Sequence, residues 1–300
     1  MRTILRRIII VTAFGLVLFG ASVRLHSAGL QHAPSTGIIV GDQWIHQVAA
    51  GETWLTISAR VGVDPQVLAG RNGRDLRMPL RPGDVLGIDN RHIAPDAPPD
   101  GIVINIPQRM LFHFSQGSVR AAYPVAVGQA GWPTPIGAFS IIEMETDPTW
   151  DVPASIQAEM RRAGKPVVTQ VPPGPANPLG QYWLRLSFGS IGVHGTTAPA
   201  SIYHLATHGC IRLHPDDIDD LFHHVELGEA GEIVYEPVLA AFDGTTVYLE
   251  VHADAYRREA TPLQAALDKL DRLGIGDRVD VAEVARIVRK MEGLAVPLAR

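Results

Sequence analysis

The chain has 300 residues, of which 46% are hydrophobic and 19% are charged, a composition typical of a folded protein with room for two modest domains. Its formal net charge of −5 provides no positive field to attract nucleic acid, so we exclude a nucleic-acid partner. The 29 glycines and 23 prolines favour short strands and turns over a helical bundle and predict a mainly β core.

The first segment, 1–28, has the layout of an export signal. Three arginines precede an apolar run from Ile8 to about Val23. This run is slightly short for a membrane-spanning helix, which needs about 20 apolar residues. The cleavage signal is weak, with Gly20-Ala21-Ser22 as an acceptable site and His26-Ser27-Ala28 as a poor one. We therefore expect an exported protein in which this segment is either a cleaved signal or an uncleaved anchor.

The segment 43–89 reads as a small α+β domain. Alternation around Ile45 predicts a strand, Thr53 opens a short helix, and Asp64 begins a second helix. A turn then leads into the strand Val85–Ile88. The predicted order is strand, helix, helix, strand (βααβ).

Four short motifs mark this segment: G-E-T at 51–53, V-x-x-x-x-L at 63–68, N-G at 72–73 and R-P-G at 81–83. With them the segment resembles a LysM module. That resemblance implies binding to glycans that contain N-acetylglucosamine, and so to the glycan strand of peptidoglycan. The alternative is a small packing domain that has no sugar site.

The residues after this unit alternate between turn signals and short apolar runs. The Pro-rich segment 90–100 lacks periodicity and is predicted as a linker. The segment 101–236 is predicted to contain strands without βαβ alternation. The predicted strands are Ile102–Ile106, Met110–Phe114, Val119–Val127, Gly137–Met144, Tyr182–Phe188 and Glu232–Tyr235. The Pro-rich stretch Thr146–Gly180 holds one short helical stretch, and its length predicts a loop that covers a site.

The C-terminal segment, 237–300, predicts one more strand and two amphipathic helices. These are Thr246–Val251, Pro262–Leu273 and Val279–Met291. The pattern gives no basis for choosing between a cover for the catalytic sheet, a subunit contact and a partner site.

Cys210 is the only cysteine of the chain, so no intrachain disulfide can form. A single cysteine taken alone is more often a small buried core residue than a nucleophile. Cys210, however, is surrounded in sequence by His194, His204, His208 and His214. An imidazole within reach can remove the thiol proton and later protonate a leaving amine. Spacing alone allows either His194, returned by a loop, or His208, two residues away, to be this base.

The neighbours of the cysteine also suit catalysis. Gly209 permits a tight turn that leaves the amides of Gly209 and Cys210 free to face a developing oxyanion. Arg212 could bind a substrate carboxylate or form a structural salt bridge. Pro215 and the acidic pair after it predict the start of a helix.

The motifs H-G at 194–195 and T-H-G-C-I-R at 207–212 resemble those of the L,D-transpeptidase catalytic domain, the YkuD domain. The likeness extends from about Gly101 to Val251. It implies a mainly β catalytic domain with a sandwich-like mixed sheet and short helices. With the LysM-like unit in front, the chain is similar to periplasmic enzymes of Gram-negative bacteria that join peptidoglycan stems or attach lipoprotein to them, with the N-terminal segment as a tether to the inner membrane where it is not cleaved.

The resemblance implies catalytic roles for five positions. Cys210 is the nucleophile, and His194 is the proton donor and acceptor, oriented by the backbone carbonyl of Gly195. The amides of Gly209 and Cys210 form the oxyanion hole, and His208 supports the site.

Three further residues are predicted to bind substrate: Thr207, Tyr203 and Arg212. Two positions depart from the pattern of the family, since His214 stands where many members carry Asn and Tyr203 where Gly is frequent. Both departures affect the expected substrate channel and leave the nucleophile and the base unchanged.

The implied reaction needs no cofactor. Cys210 attacks the meso-diaminopimelate carbonyl of a tetrapeptide stem, releases D-Ala and forms a thioester. The acceptor is a stem amine, giving a 3-3 cross-link, a lysine amine of an outer-membrane lipoprotein, or water, giving carboxypeptidase or amidase activity. Two rival hypotheses are a zinc site formed by Cys210 with neighbouring histidines and an inactive glycan-binding scaffold.

Overall fold

The computed structural model describes residues 37–259 and 261–298. The predicted export segment, 1–28, lies outside these residues. No helix in the described ranges has the length and apolar character needed to cross a membrane.

The N-terminal part contains the predicted order of strand, helix, helix and strand. Its elements are β1 (Ile38–Val40), β2 (Gln43–Gln47), α1 (Trp54–Val61), α2 (Pro65–Arg71), β3 (Val85–Asp89) and β4 (His92–Ala94). The side chain of Thr53 caps α1, and that of Asp64 caps α2. Strands β2 and β3 pair antiparallel. The segment predicted as a linker contains the buried strand β4. The sequence did not indicate this strand, because three residues are too few to show alternation.

The next part is built mainly of strands, as predicted. They are β5 (Gly101–Asn105), β6 (Met110–Ser115), β7 (Ser118–Gly128), β8 (Gly137–Thr146), β9 (Trp150–Asp151), β10 (Gln170–Val171), β11 (Tyr182–Leu186), β12 (Gly192–His194), β13 (Leu205–Thr207), β14 (Ile211–Leu213) and β15 (Ala230–Val234). Helix α3 (Ala154–Arg162) lies in the long Pro-rich loop, and α4 (Pro215–Phe222) begins at the predicted proline. A 3-10 turn spans Pro199–Ser201.

Most of these strands form one mixed sheet that closes on itself. Its order is β13-β7-β14-β12-β11-β8-β15-β5-β6, and β6 pairs in addition with β7. The first part of β7 pairs with β6, while its last residues pair with β14 and β13. The predicted sandwich-like sheet is therefore corrected to a barrel-like sheet, because β7 is long enough to pair with strands from both ends of the order.

Alternation along the strands separates the apolar interior of this sheet from its outer face. Leu184, Val193 and Ile211 lie in the core cluster and are fully buried. Their sequence neighbours Trp183 and Arg212 are only partly buried. The outer face of β11, β12 and β14 is therefore where the polar residues of the sequence motifs lie.

The C-terminal part forms a small layer of its own. It contains β16 (Val238–Phe242), β17 (Val247–Val251), α5 (Pro262–Arg272), α6 (Val281–Lys290) and β18 (Val296–Pro297), with a 3-10 turn at Gly276–Arg278. The predicted strand and both predicted helices are present. The helices pack their apolar faces on a three-stranded sheet of order β16-β17-β18.

Candidate active site

The predicted base and the predicted nucleophile lie at the neighbouring parallel strands β12 and β14. His194 ends β12, and Cys210 directly precedes β14. In the register of this pair, His194 lies opposite Arg212. Because side chains alternate along a strand, Cys210, two residues before Arg212, belongs to the same outer face as His194.

His194 is buried, and its ring is held by the backbone of the next residue. Its Nδ1 lies 2.7 Å from the carbonyl oxygen of Gly195, which accepts a hydrogen bond from the Nδ1–H group and leaves Nε2 as the basic nitrogen of a neutral ring. Burial and, to a smaller extent, the charge of Arg212 lower the pKa of His194 to about 3, against the opposing effect of hydrogen bonds with the backbone of Gly195 and Leu179. The imidazole is therefore neutral at physiological pH and can accept a proton.

Cys210 is a free, half-buried thiol. Burial raises its pKa, while the backbone of Gly192 and the charge of Arg212 lower it. The thiol Sγ lies 3.8 Å from the carbonyl oxygen of Ser190. A half-buried thiol with a raised pKa needs a base to become a nucleophile at neutral pH, and the neutral ring of His194 is the group on the neighbouring strand that suits this task.

The turn before the nucleophile is fixed by two threonine hydroxyls. Thr207 Oγ1 donates to the carbonyl of Cys210 at 2.6 Å and accepts from the amide of Gly209 at 3.2 Å. Thr134 Oγ1 donates to the carbonyl of Gly209 at 2.9 Å. Gly209 has φ of +107°, and a Cβ at this position would lie 2.9 Å from Ile191 Cδ1, so only glycine suits this turn.

These contacts modify two of the sequence-based expectations. Thr207, predicted to bind substrate, is 3% exposed and engaged in holding the turn. The amide of Gly209, predicted as an oxyanion donor, already faces the hydroxyl of Thr207. The amide of Cys210 is therefore the better placed of the two predicted donors.

His208 lies beside the long loop. Its Nε2 is 3.2 Å from both carboxylate oxygens of Glu159 on α3, and its ring packs on Trp132 with centroids 4.5 Å apart. It therefore connects the catalytic turn with the loop that the sequence predicts as a cover.

The other two predicted substrate-binding residues have different surroundings. Arg212 donates to Ser201 Oγ at 2.8 Å, and its Nε is buried without a hydrogen-bond partner. Tyr203 is 2% exposed, and the guanidinium of Arg109 lies 4.2 Å from the centre of its ring. Its φ of +65° explains why glycine suits this position, and its burial leads us to assign it a packing role.

The histidines of the rival zinc hypothesis have other partners. His208 faces Glu159, and His214 Nδ1 lies 2.8 Å from Arg60 Nη1. Within residues 37–259 and 261–298, the one group of three potential ligands whose atoms lie within 4.8 Å of one another comprises His92, Glu250 and His252, which excludes Cys210. Glu250 Oε1 there accepts hydrogen bonds from both rings and from Gln108 Nε2, at 2.7 to 2.9 Å. Hydrogen bonding accounts for this cluster.

Sequence reasoning missed Trp183, which lies on β11, the strand beside β12. It stands opposite His194 in the β11–β12 pair, and the two rings have centroids 6.0 Å apart. Its indole also covers Gly192, where a Cβ would lie 2.4 Å from the ring. Only the barrel register brings it to the site. Sequence reasoning also missed the role of Thr134, since its contact with the carbonyl of Gly209 joins residues 75 positions apart.

Comparison with known proteins identifies the family of this site. Residues 99–249 match the L,D-transpeptidase catalytic domain, YkuD. The chain is 34% identical over 230 residues to the probable L,D-transpeptidase YbiS of Escherichia coli K12, covering 74% of each chain. It is 31% identical over 249 residues to the probable L,D-transpeptidase ErfK/SrfK of Salmonella typhimurium, covering 78% of each. A solved L,D-transpeptidase from Mycobacterium smegmatis is 24% identical with a TM-score of 0.34, over 44% of this chain and 57% of that one. The chain belongs to the L,D-transpeptidase family with a YkuD catalytic domain.

Proposed function

We propose that this protein is a cysteine L,D-transpeptidase that acts on tetrapeptide stems of peptidoglycan. The observation that carries the proposal is the placement of Cys210 and a neutral His194 on one face of the parallel strands β12 and β14. A neutral base beside a protonated thiol is the arrangement that acyl transfer through a thioester requires.

The first half-reaction forms the acyl-enzyme. His194 Nε2 takes the thiol proton as Cys210 Sγ attacks the carbonyl carbon of the third stem residue, meso-diaminopimelate. The carbonyl oxygen becomes an oxyanion, which the amide of Cys210 stabilises. When the tetrahedral intermediate collapses, the C–N bond to D-Ala breaks, and the leaving amine takes the proton from His194.

The second half-reaction transfers the acyl group to an acceptor. An amine attacks the thioester, and His194 accepts a proton from it. The C–S bond then breaks, and the departing sulfur of Cys210 takes this proton from His194, which regenerates the thiol and the neutral base. A stem amine as acceptor gives a 3-3 cross-link, and a lysine of an outer-membrane lipoprotein gives an anchored lipoprotein. Hydrolysis by the same site is the outcome if water is the acceptor.

The test is incubation of purified protein with disaccharide tetrapeptide, followed by mass analysis of the products. We expect D-Ala release and a dimer with the mass of a 3-3 bond for the wild type. Cys210→Ala should form neither product, and His194→Ala should lose at least 100-fold in rate, since general acid–base catalysis contributes about 10²- to 10⁴-fold. The absence of both a thioester adduct and D-Ala release from the wild type would refute the proposal.

We also propose that 43–89 is a LysM module that binds the glycan strand. Its short motifs and its strand, helix, helix, strand order support this assignment. Cys210→Ala protein should sediment with purified peptidoglycan, and oligomers of N-acetylglucosamine should release it. Retention that these oligomers leave unchanged would speak against the module as the binding site.

Export to the periplasm is the location that fits this substrate, and the apolar N-terminal segment supports it. Fractionation of cells that produce the full chain should recover it outside the cytoplasm. Mass analysis of its N-terminus would distinguish a cleaved signal from an anchor.

A further inference from the structure

A tyrosine from the C-terminal part of the chain reaches the loop behind the nucleophile. The hydroxyl of Tyr256 donates to the carbonyl of Gly128 at 2.5 Å and accepts from the amide of Thr134 at 3.2 Å. It therefore joins both ends of the loop 128–134. The hydroxyl of Thr134 closes the same loop by accepting from the amide of Gly128 at 2.8 Å.

Tyr256 is itself fixed from behind. Its ring stacks on that of Tyr235, with centroids 5.6 Å apart, and its amide donates to Tyr235 Oη at 2.8 Å. The hydroxyl of Tyr235 in turn donates to Asp254. The position of the Tyr256 hydroxyl is thus set by several contacts within the residues that follow β15.

The loop 128–134 transmits this position to the nucleophile through a single peptide group. Thr134 is 1% exposed, and its hydroxyl donates to the carbonyl of Gly209 at 2.9 Å. That carbonyl belongs to the same planar unit as the amide of Cys210, and in a trans peptide the two groups point in opposite directions. Anchoring the carbonyl of Gly209 therefore fixes the direction of the Cys210 amide, the proposed oxyanion donor.

Glycine makes this anchoring necessary. The φ of +107° at Gly209 lies in a region that other residues avoid, and glycine has the largest backbone freedom. Without an external contact, the peptide between Gly209 and Cys210 could rotate. An oxyanion donor is effective only when it is oriented before the reaction begins.

We propose that Tyr256 is a positioning residue for the oxyanion donor and acts through Thr134 and the carbonyl of Gly209. Tyr256 lies beyond residues 99–249, which match the catalytic domain family. The C-terminal part of this chain thus completes the catalytic turn from outside the family domain. The inference rests on the proposed role of Cys210 as an acylated nucleophile.

The test compares Tyr256→Phe with wild type in the acylation of Cys210 by p-nitrophenyl acetate. This ester forms a tetrahedral oxyanion at the same sulfur and needs no stem peptide, so the test remains valid if the protein fails to act on stems. We expect the burst rate constant of acylation to fall about tenfold, within the roughly hundredfold loss that a 1 Å misplacement can cause. Alkylation of Cys210 by iodoacetamide, which forms no oxyanion, should keep its wild-type rate and pH profile.

Two variants of Thr134 test the path of this effect. Thr134→Val should lose more activity than Tyr256→Phe, and Thr134→Ser, which keeps the hydroxyl, should restore most of it. Adding Tyr256→Phe to Thr134→Val should cause no further loss, because both act on one peptide group. Tyr248→Phe is the matched control: it removes a tyrosine hydroxyl from β17 and should acylate like the wild type.

Three results would overturn the proposal. The first is an unchanged burst rate constant for Tyr256→Phe. The second is an equal loss of rate in acylation and alkylation, which would indicate a general disturbance of the thiol. The third is a loss in the double variant that equals the product of the losses in the two single variants. Failure of the proposed function has a different signature, namely normal ester acylation of wild-type Cys210 without D-Ala release from stems.

Discussion

At the residue scale, Arg212 connects the electrostatics of the nucleophile and the base. Its charge lowers the pKa of both Cys210 and His194. The two effects differ in their consequences: a lower thiol pKa favours the thiolate, whereas a lower imidazole pKa keeps the ring neutral but makes it a weaker proton acceptor. Arg212 therefore matters to the site through its charge, in addition to any contact with substrate.

Replacement of Arg212 by methionine should move the pH profile of Cys210 alkylation to higher pH. Without the positive charge the thiolate loses stabilisation, so the rate with iodoacetamide at pH 7 should fall below that of wild type. Arg212→Lys keeps the charge and should stay close to wild type. Because the pKa of His194 is lowered to about 3, wild-type acylation should show no acid limb near the ordinary imidazole pKa of about 6.5. An unchanged alkylation profile for Arg212→Met would contradict this account.

The residues of the chemical motif are readable from sequence, whereas those that support it are not. The motif around Cys210 predicts the nucleophile, and the distant His194 lies on the neighbouring strand, opposite Arg212. Thr134 and Tyr256 reach the turn through the barrel register and through the C-terminal part of the chain. Nothing in their local sequence indicates those contacts, because they depend on tertiary pairing.

At the scale of elements, the strand and helix predictions hold where the pattern is long. The predicted strands and helices are present with shifted ends, and each has enough residues to show its period. The two- and three-residue strands β1, β9 and β10 are too short for a period to appear. Closure of the barrel depends on which edges of β7 are paired, and an alternation pattern does not specify a partner.

Helix α3 is held to the rest of the protein by few contacts. It has no buried residue, and the ion pair of Glu159 with His208 connects it to the catalytic turn. Such a helix should open locally at low cost in free energy. The pair is only partly buried, so its contribution to stability is modest, about 0.2 to 1 kcal/mol.

Glu159→Ala should therefore increase the rate at which trypsin cleaves after Arg161 and Arg162. We expect roughly two- to fivefold faster cleavage, since proteolysis follows the population of the open form. Ser155→Ala, a change on the exposed side of the same helix, is the matched control and should be cleaved at the wild-type rate. Equal cleavage rates for the two variants would show that the ion pair does not hold the helix.

At the scale of the whole molecule, the C-terminal part packs against the N-terminal part, which comprises β1 to β4. Leu294 is 1% exposed and belongs to the same apolar cluster as Trp54 and Leu86. Arg71 Nη2 lies 2.7 Å from Glu292, and His92 bridges the carbonyl of Gly62 and the carboxylate of Glu250. The residues that follow the catalytic strands thus hold the N-terminal part in place. Attachment of the N-terminal part is therefore one role of the C-terminal segment.

This packing predicts that the N-terminal unit does not unfold by itself. Leu294→Ala should lower the free energy of unfolding by about 2 to 5 kcal/mol, because it leaves a cavity in a core that Leu294 shares with residues 48–88. Leu227, 66% exposed, provides the control, and Leu227→Ala should change that free energy by no more than about 0.5 kcal/mol. Urea unfolding followed by tryptophan fluorescence and by far-ultraviolet circular dichroism should show one shared transition in wild type. A separate early transition of the fluorescence, or equal effects of the two leucine variants, would mean that the N-terminal part and the C-terminal part are stabilised independently.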